Sequence, residues 1–196
     1  INLTTKNKIY HCPTLDWYFT GQLTGDNLRA RNGVEYISEK QLKEWENKIA
    51  SNNKKNDSEK REKNRNLSSK RFKSRLNYLN YIYRQGGKLL VSPDASGIYG
   101  IPGYGIHIEM EHFANAKISN YDILKSTCYN LAEMCKEENK WGTIKIGAKS
   151  DLIILNRNPL KDISNTKSIE AIIFKGKYYK KNFFETLLKQ NNNIKE

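Results

Sequence analysis

Residues 141–163 read WGTIKIGAKSDLIILNRNPLKDI, and this stretch decides the fold class. Short aliphatic runs, Thr143–Ile146 and Asp151–Leu155, are divided by Gly147 and stopped by Pro159. Runs of that length between glycine and proline breakers are strands rather than helices. Ala171–Phe174 and Lys177–Tyr179 repeat the pattern across Gly176, which predicts a small antiparallel sheet. Beyond it, Phe183, Phe184, Leu187 and Leu188 sit at helical spacing in an otherwise polar tail from Asn182.

Upstream the period changes. Lys88–Val91 (KLLV) is a short buried strand, and a second apolar run, Lys8–Leu15 (KIYHCPTL), is broken by Pro13. Between them, 16–34 is a glycine-bearing excursion, followed by a helix from Ser38 to about Ile49 that aligns Leu42, Trp45 and Ile49. Residues 52–69 are rich in Asn, Lys and Glu with almost no apolar side chains, which predicts a mobile segment. Helical spacing resumes at Phe72, Leu76, Leu79 and Tyr83 and ends at Gly86–Gly87. Two more helices are expected at Ile106–Ala116 and Tyr121–Cys135, the second opened by a Ser119/Asp122 capping box and aligning Leu124, Cys128, Leu131 and Cys135. Strand–helix–strand with a glycine stop is the α/β pattern.

The chain has 196 residues, 37% hydrophobic and 28% charged, with net charge +13. No apolar run approaches the ~18 residues of a membrane span, so no membrane partner is expected. Three separated cysteines make neither a disulfide framework nor a CxxC knuckle; reduced core or near-core thiols and a cytoplasmic location are the expectation. Between residues 43 and 75 twelve Lys and Arg face five Asp and Glu, but only Trp45 and Phe72 interrupt the run. Nucleic-acid binders interleave aromatics or carry a motif. A solvated, partly helical basic insertion is expected, with a basic interaction protein that binds nucleic acid as the rival. The chain starts at Ile1 rather than Met, which suggests sequence upstream.

Asp94 directly follows the KLLV strand and opens a loop holding Gly97, Gly100, Gly103 and Gly105. In α/β folds catalytic groups gather at the C-terminal ends of strands. A carboxylate there can bind a divalent metal or accept a proton; equally, an aspartate can start a turn.

The 141–163 segment closely resembles the amidohydrolase pattern G-T-I-x-x-G-K-x-A-D-L-(V/I)-(V/I)-L-x-x-N-P-L-x-D-I. Ile169–Tyr178 (IEAIIFKGKY) resembles that superfamily's V-x-x-V-(I/V)-x-x-G-K-(V/I)-Y, and Leu89–Ala95 (LLVSPDA) its V-x-(I/L)-x-(G/S)-T-D-A. Gly105–Ala116 and Asn120–Ala132 resemble the H-x-E helix and the one after it, and Tyr10–Leu15 (YHCPTL) the V-x-P-T-L of the imidazolonepropionase-like branch.

The resemblance implies the C-terminal part of a (β/α)8 metal-dependent hydrolase barrel plus part of a small β-sandwich domain. Residues 1–140 would supply strands seven and eight, 141–180 the small β domain, and 181–196 a helix and tail. It implies hydrolysis of a C–N bond in a non-peptide or cyclic amide by a metal-activated water, with a small-molecule substrate and one or two divalent ions, usually zinc. Asp94 occupies the position that ligates the metal and shuttles a proton, although Pro93 stands where the pattern has Thr. The remaining ligands have no counterpart here, so this chain alone is expected to be inactive. A prolidase-like peptidase or a deaminase of the same superfamily is the alternative. His11, His107, Tyr99 and Tyr104 are substrate-contact candidates, each against a plainer packing role; His112 reads as a surface residue. Homo-oligomer formation is left open.

Overall fold

The computed structural model describes residues 2–55 and 57–193. After a short helix α1 (Asn2–Lys6), β1 (Tyr10–His11) pairs in parallel with β2 (Lys88–Leu89), Tyr10 opposite Lys88 and His11 opposite Leu89. The Leu90 amide extends this ladder by donating to the His11 carbonyl at 2.9 Å. A parallel pair needs a crossover, and here it holds α2 (Leu15–Thr20), α3 (Glu39–Lys55) and α4 (Ser58–Arg84).

Helix α4 ends in a Schellman motif: the Gly87 amide donates to the Ile82 carbonyl at 3.0 Å and Gly86 to Tyr83 at 2.9 Å. Gly86 takes φ +75°, and a Cβ on Gly87 would lie 2.4 Å from Ile82 Cγ2, so both glycines are required to turn the chain into β2.

Within the stretch expected to be mobile, residues 52–55 and 58–69 are helical, at the end of α3 and in the first part of α4. Asp57 caps α4 by accepting from the Lys60 amide at 2.7 Å, and Arg61 donates to the Asn53 carbonyl at 2.6 Å across the hairpin. Straight-chain Lys, Arg and Glu are good helix formers, so an apolar face is not required over the first turns. The face that begins at Phe72 then docks the helix: Phe72, Leu79 and Ile82 are buried with Leu15, Leu89, Met110 and Phe113. A second cluster joins Leu42 and Trp45 of α3 to Leu28, Tyr99 and Ile101.

After the glycine loop come α5 (Gly105–Asn115), α6 (Asn120–Thr127) and α7 (Tyr129–Met134). Ser119 caps α6 as expected, accepting from the Asp122 amide at 3.1 Å. The single helix expected over 121–135 is broken at Cys128, whose φ and ψ are −124° and −76°. The break rotates α7, so that Asn130 is buried and donates to the Leu89 carbonyl at 2.9 Å. Cys128 and Cys135 are thereby left exposed, as is Cys12, which corrects the expectation of core or near-core thiols.

The last part is a three-stranded antiparallel sheet in the order β3 (Leu152–Leu155), β4 (Ile169–Phe174), β5 (Lys177–Lys180), followed by α8 (Lys181–Asn193). The strand expected at Thr143–Ile146 does not form: Ile144 and Ile146 are 88% and 104% exposed, and no described strand pairs with them. Among the described residues no helix is long and apolar enough to cross a membrane.

Candidate functional site

The two parallel strands finish alike. Cys12–Pro13–Thr14 follows β1 and Ser92–Pro93–Asp94 follows β2. Each proline fixes its own φ and extends the residue before it. The residue after each turns left-handed, Thr14 at φ +46° and Asp94 at φ +49°. For the β-branched Thr14 this is a strained conformation. Helix α5 closes against the second of these turns, where a Cβ on Gly105 would lie 3.2 Å from Pro93.

Asp94 is exposed, and its carboxylate accepts from the Ser96 hydroxyl at 3.0 Å. Among the described residues it forms no ion pair. Cys12, beside Ser92, completes the edge of this strand-end cluster. Partial desolvation pushes its thiol above the ordinary value, the Ser92 hydroxyl opposes that shift, and the Glu109 and Asp94 carboxylates add to it.

Glu109 is the residue that the sequence reading undervalued. It comes from α5, is fully buried, and accepts from the Leu15 and Asp16 amides at 2.8 and 2.6 Å. These are the first two free N–H groups of α2, which the left-handed Thr14 leaves uncapped. Glu109 thus caps the β1 loop from the far side of the cluster. Burial pushes its carboxyl up to about 8, against the pull of the two amide donors, and the Asp16 charge adds to the rise.

Behind it, Asp16 takes two contacts of 2.7 Å from Arg31, both side chains being nearly inaccessible. His112 Nε2 stands 3.5 Å from Asp16, with its ring between Phe19 and Phe72 at 5.0 and 5.1 Å. His112 is therefore a core residue and not the surface residue expected, because α5 is covered on two sides, by α2 with α4 and by the Ile163–Lys167 turn.

The other candidates disperse. Tyr99 belongs to the second core and donates to the Thr24 carbonyl at 2.5 Å. Tyr104 packs between Tyr36 and His107, with ring centroids at 5.8 and 5.6 Å. His107 Nδ1 is 2.9 Å from the Thr166 hydroxyl, tying α5 to the turn before β4. Burial and the nearby Lys167 ammonium hold that imidazole below its ordinary pKa. His11 is half-buried on β1 and lines a groove of about 770 Å³ against α4. Among the described residues Asp94 stands at the strand ends exposed and without an ion pair, its carboxylate bonded to the neighbouring Ser96 hydroxyl. The two prolines were visible in the sequence, the left-handed residue after each was not, and neither was the Glu109 cap, since its partners are backbone amides about ninety residues away.

The chain was compared with known proteins. No family model and no curated protein matches the sequence. Solved structures do: bottromycin amidohydrolase aligns over 94% of this chain with a TM-score of 0.72 at 14% identity. The fold is that of an amidohydrolase. A Xaa-Pro dipeptidase with methionine bound in its active site aligns over 91% of the chain, with a TM-score of 0.60 and 18% identity. A further amidohydrolase gives 0.56 over 91% at 18% identity. The chain spans 40% of the length of bottromycin amidohydrolase and 36% of each of the other two.

Proposed function

We propose that this chain supplies strands seven and eight of an amidohydrolase barrel, with part of its small β domain, and that Asp94 is the strand-end carboxylate of a hydrolase acting on C–N bonds of non-peptide or cyclic amides. The observation that carries the reading is the placement of Asp94: exposed, directly after a parallel strand, free of ion pairs among the described residues, and held left-handed by its Pro93 turn.

In such a site a divalent ion, when bound, acidifies a water and polarises the carbonyl. Among the described residues no three His, Cys, Asp or Glu side chains are grouped to hold an ion. A catalytic zinc takes about three protein ligands, and Asp94 offers one. The described residues do not make a metal site by themselves. What this chain brings is a carboxylate able to ligate or to accept a proton, with the Glu109 cap fixing the Leu15 and Asp16 amides after the other strand-end turn.

A prolidase-like peptidase is the second reading, favoured by the match to the Xaa-Pro dipeptidase. The test uses the protein that carries this chain, zinc-loaded, against cyclic imides, N-acyl amino acids and Xaa-Pro dipeptides. Hydrolysis is expected for an amide of the first two groups, falling by about 10²–10⁴ in D94N with an unchanged circular dichroism spectrum. Asparagine keeps the left-handed backbone that alanine would strain. Cleavage of the dipeptides alone selects the second reading. Full activity in D94N, or no hydrolysis of any of the three classes, sinks the proposal.

A further inference from the structure

The groove of about 770 Å³ between β1 and α4 has an apolar floor of Leu15, Leu79 and Ile82. On its α4 side the lining runs from Lys70 to Ile82, about 18 Å of helix at roughly 1.5 Å per residue. It opens at a sheet edge, for among the described residues β1 pairs with β2 alone. The chain spans 36% to 40% of the solved structures it aligns with, so most of that fold lies beyond it. Some surface of this chain therefore faces the remainder, and a groove at an unpaired strand edge is suited to it.

The polar groups along the groove say what covers it. His11 lines it, and the His11 Nε2 is buried without a hydrogen-bond partner among the described residues. A buried ring nitrogen left unpaired is unfavourable, so its partner belongs to the covering element. Lys70 and Arg71 stand exposed on the rim, and neither forms an ion pair among the described residues. No acidic side chain lines the groove among the described residues. A second copy of this chain, at net charge +13, would bring further cations to that rim. A small acid would fill a fraction of the length, whereas three to four turns of helix match it.

We propose that this groove seats an acidic amphipathic helix from the part of the fold that lies beyond this chain. The apolar face of that helix packs over Leu79 and the exposed Tyr78 ring, its carboxylates meet Lys70 and Arg71, and one acceptor pairs with the His11 ring. The inference rests on the barrel reading above and names the chemistry of the neighbouring element; it involves neither Asp94 nor turnover.

The test is calorimetric titration of the full chain with a capped helical peptide of about 18 residues, leucine on one face and glutamate on its flanks. A counterpart carries lysine in place of glutamate. The glutamate peptide is expected to bind at least about tenfold more tightly. K70E/R71E, at two exposed positions, should weaken it by about tenfold or more with the circular dichroism spectrum unchanged. K60E/K63E makes the same charge change on α4 outside the groove and should have a much smaller effect. At saturation the His11 imidazole resonances should shift while those of the packed His107 and His112 stay in place. No measurable binding of the glutamate peptide at millimolar concentration, equal losses in the two double variants, or an unmoved His11 overturns the proposal. So does a dimer in sedimentation that K70E/R71E dissolves, which would make the occupant a second copy, or a deoxythymidine oligomer bound there more tightly than the peptide. The titration needs no turnover, so its failure is separable from failure of the hydrolysis test on Asp94.

Discussion

Glu109 makes stability depend on pH in a direction unusual for a carboxylate. Burial raises its folded pKa to about 8, from an ordinary value of 4.5. Below 4.5 both the folded and unfolded states hold the proton. Between 4.5 and about 8 the unfolded chain has released it and the folded chain has not, so stability falls as pH rises. Above that range both are ionised and the curve is flat. His107 acts in the opposite direction: its folded pKa lies below 6.5, so its contribution rises with pH up to 6.5 and is level beyond. Of these two groups, Glu109 alone therefore acts between pH 6.5 and 8. At about 1.4 kcal/mol per pKa unit, the expected loss across that window is about 2 kcal/mol. The assay is urea unfolding followed by tryptophan fluorescence, with Trp45 buried in the second core as reporter. In E109Q the amide oxygen can still accept from one of Leu15 and Asp16, while its NH2 faces the other donor. The variant should lose about 1–3 kcal/mol at pH 6.5 and show none of the downward slope. A wild-type curve that is flat or rising from pH 6.5 to 8, or an E109Q curve parallel to wild type, would refute the account.

Other consequences can be measured on the same chain. Arg31→Ala leaves the Asp16 carboxylate buried without its partner, and the urea midpoint should report a loss of about 3–5 kcal/mol; a loss below about 1 kcal/mol would mean the pair is solvated. Gly142→Ala should cost about 1–3 kcal/mol, since its φ is +81° and the new Cβ would sit 2.8 Å from the Cys128 carbonyl oxygen. Gly147→Ala, with φ +87° and nothing within 4 Å, should cost only the backbone strain of about 1 kcal/mol, so equal losses would contradict the packing of the Trp141 turn on α7. All three cysteines should label with Ellman's reagent in the folded state, Cys12 most slowly at pH 7 because desolvation and two carboxylates disfavour its thiolate. Mass-resolved labelling checks the order.

Local chemistry made several elements legible in the sequence. Gly86–Gly87 after the Phe72–Tyr83 periodicity marked the end of α4, Ser119 before Asp122 marked the start of α6, and Pro159 and Gly176 divided the last strands. Each signal is a property of two to four adjacent residues: a φ that only some residues adopt, or a side chain that reaches its own backbone. The same locality misled elsewhere. Residues 52–55 and 58–69 show almost no apolar side chains from which to read a helical period, yet they extend two helices whose docking is set by Leu42, Trp45, Phe72 and Leu79. The break at Cys128 follows from Asn130 reaching β2 and from Gly142 closing on the Cys128 carbonyl, neither of which is near in sequence.

The sequence by itself determined that an apolar run is broken at Pro13 and that a carboxylate, Asp94, follows the second apolar run. Only the tertiary structure decided that Asp94 stays exposed and without an ion pair among the described residues, while the other candidates are engaged elsewhere. Glu109 is spent on the α2 amides, Asp16 on Arg31, His107 on Thr166 and Tyr99 on Thr24. A side chain's availability depends on which donors and acceptors the fold brings within about 3 Å of it, and those partners are fixed by packing, not by spacing along the chain.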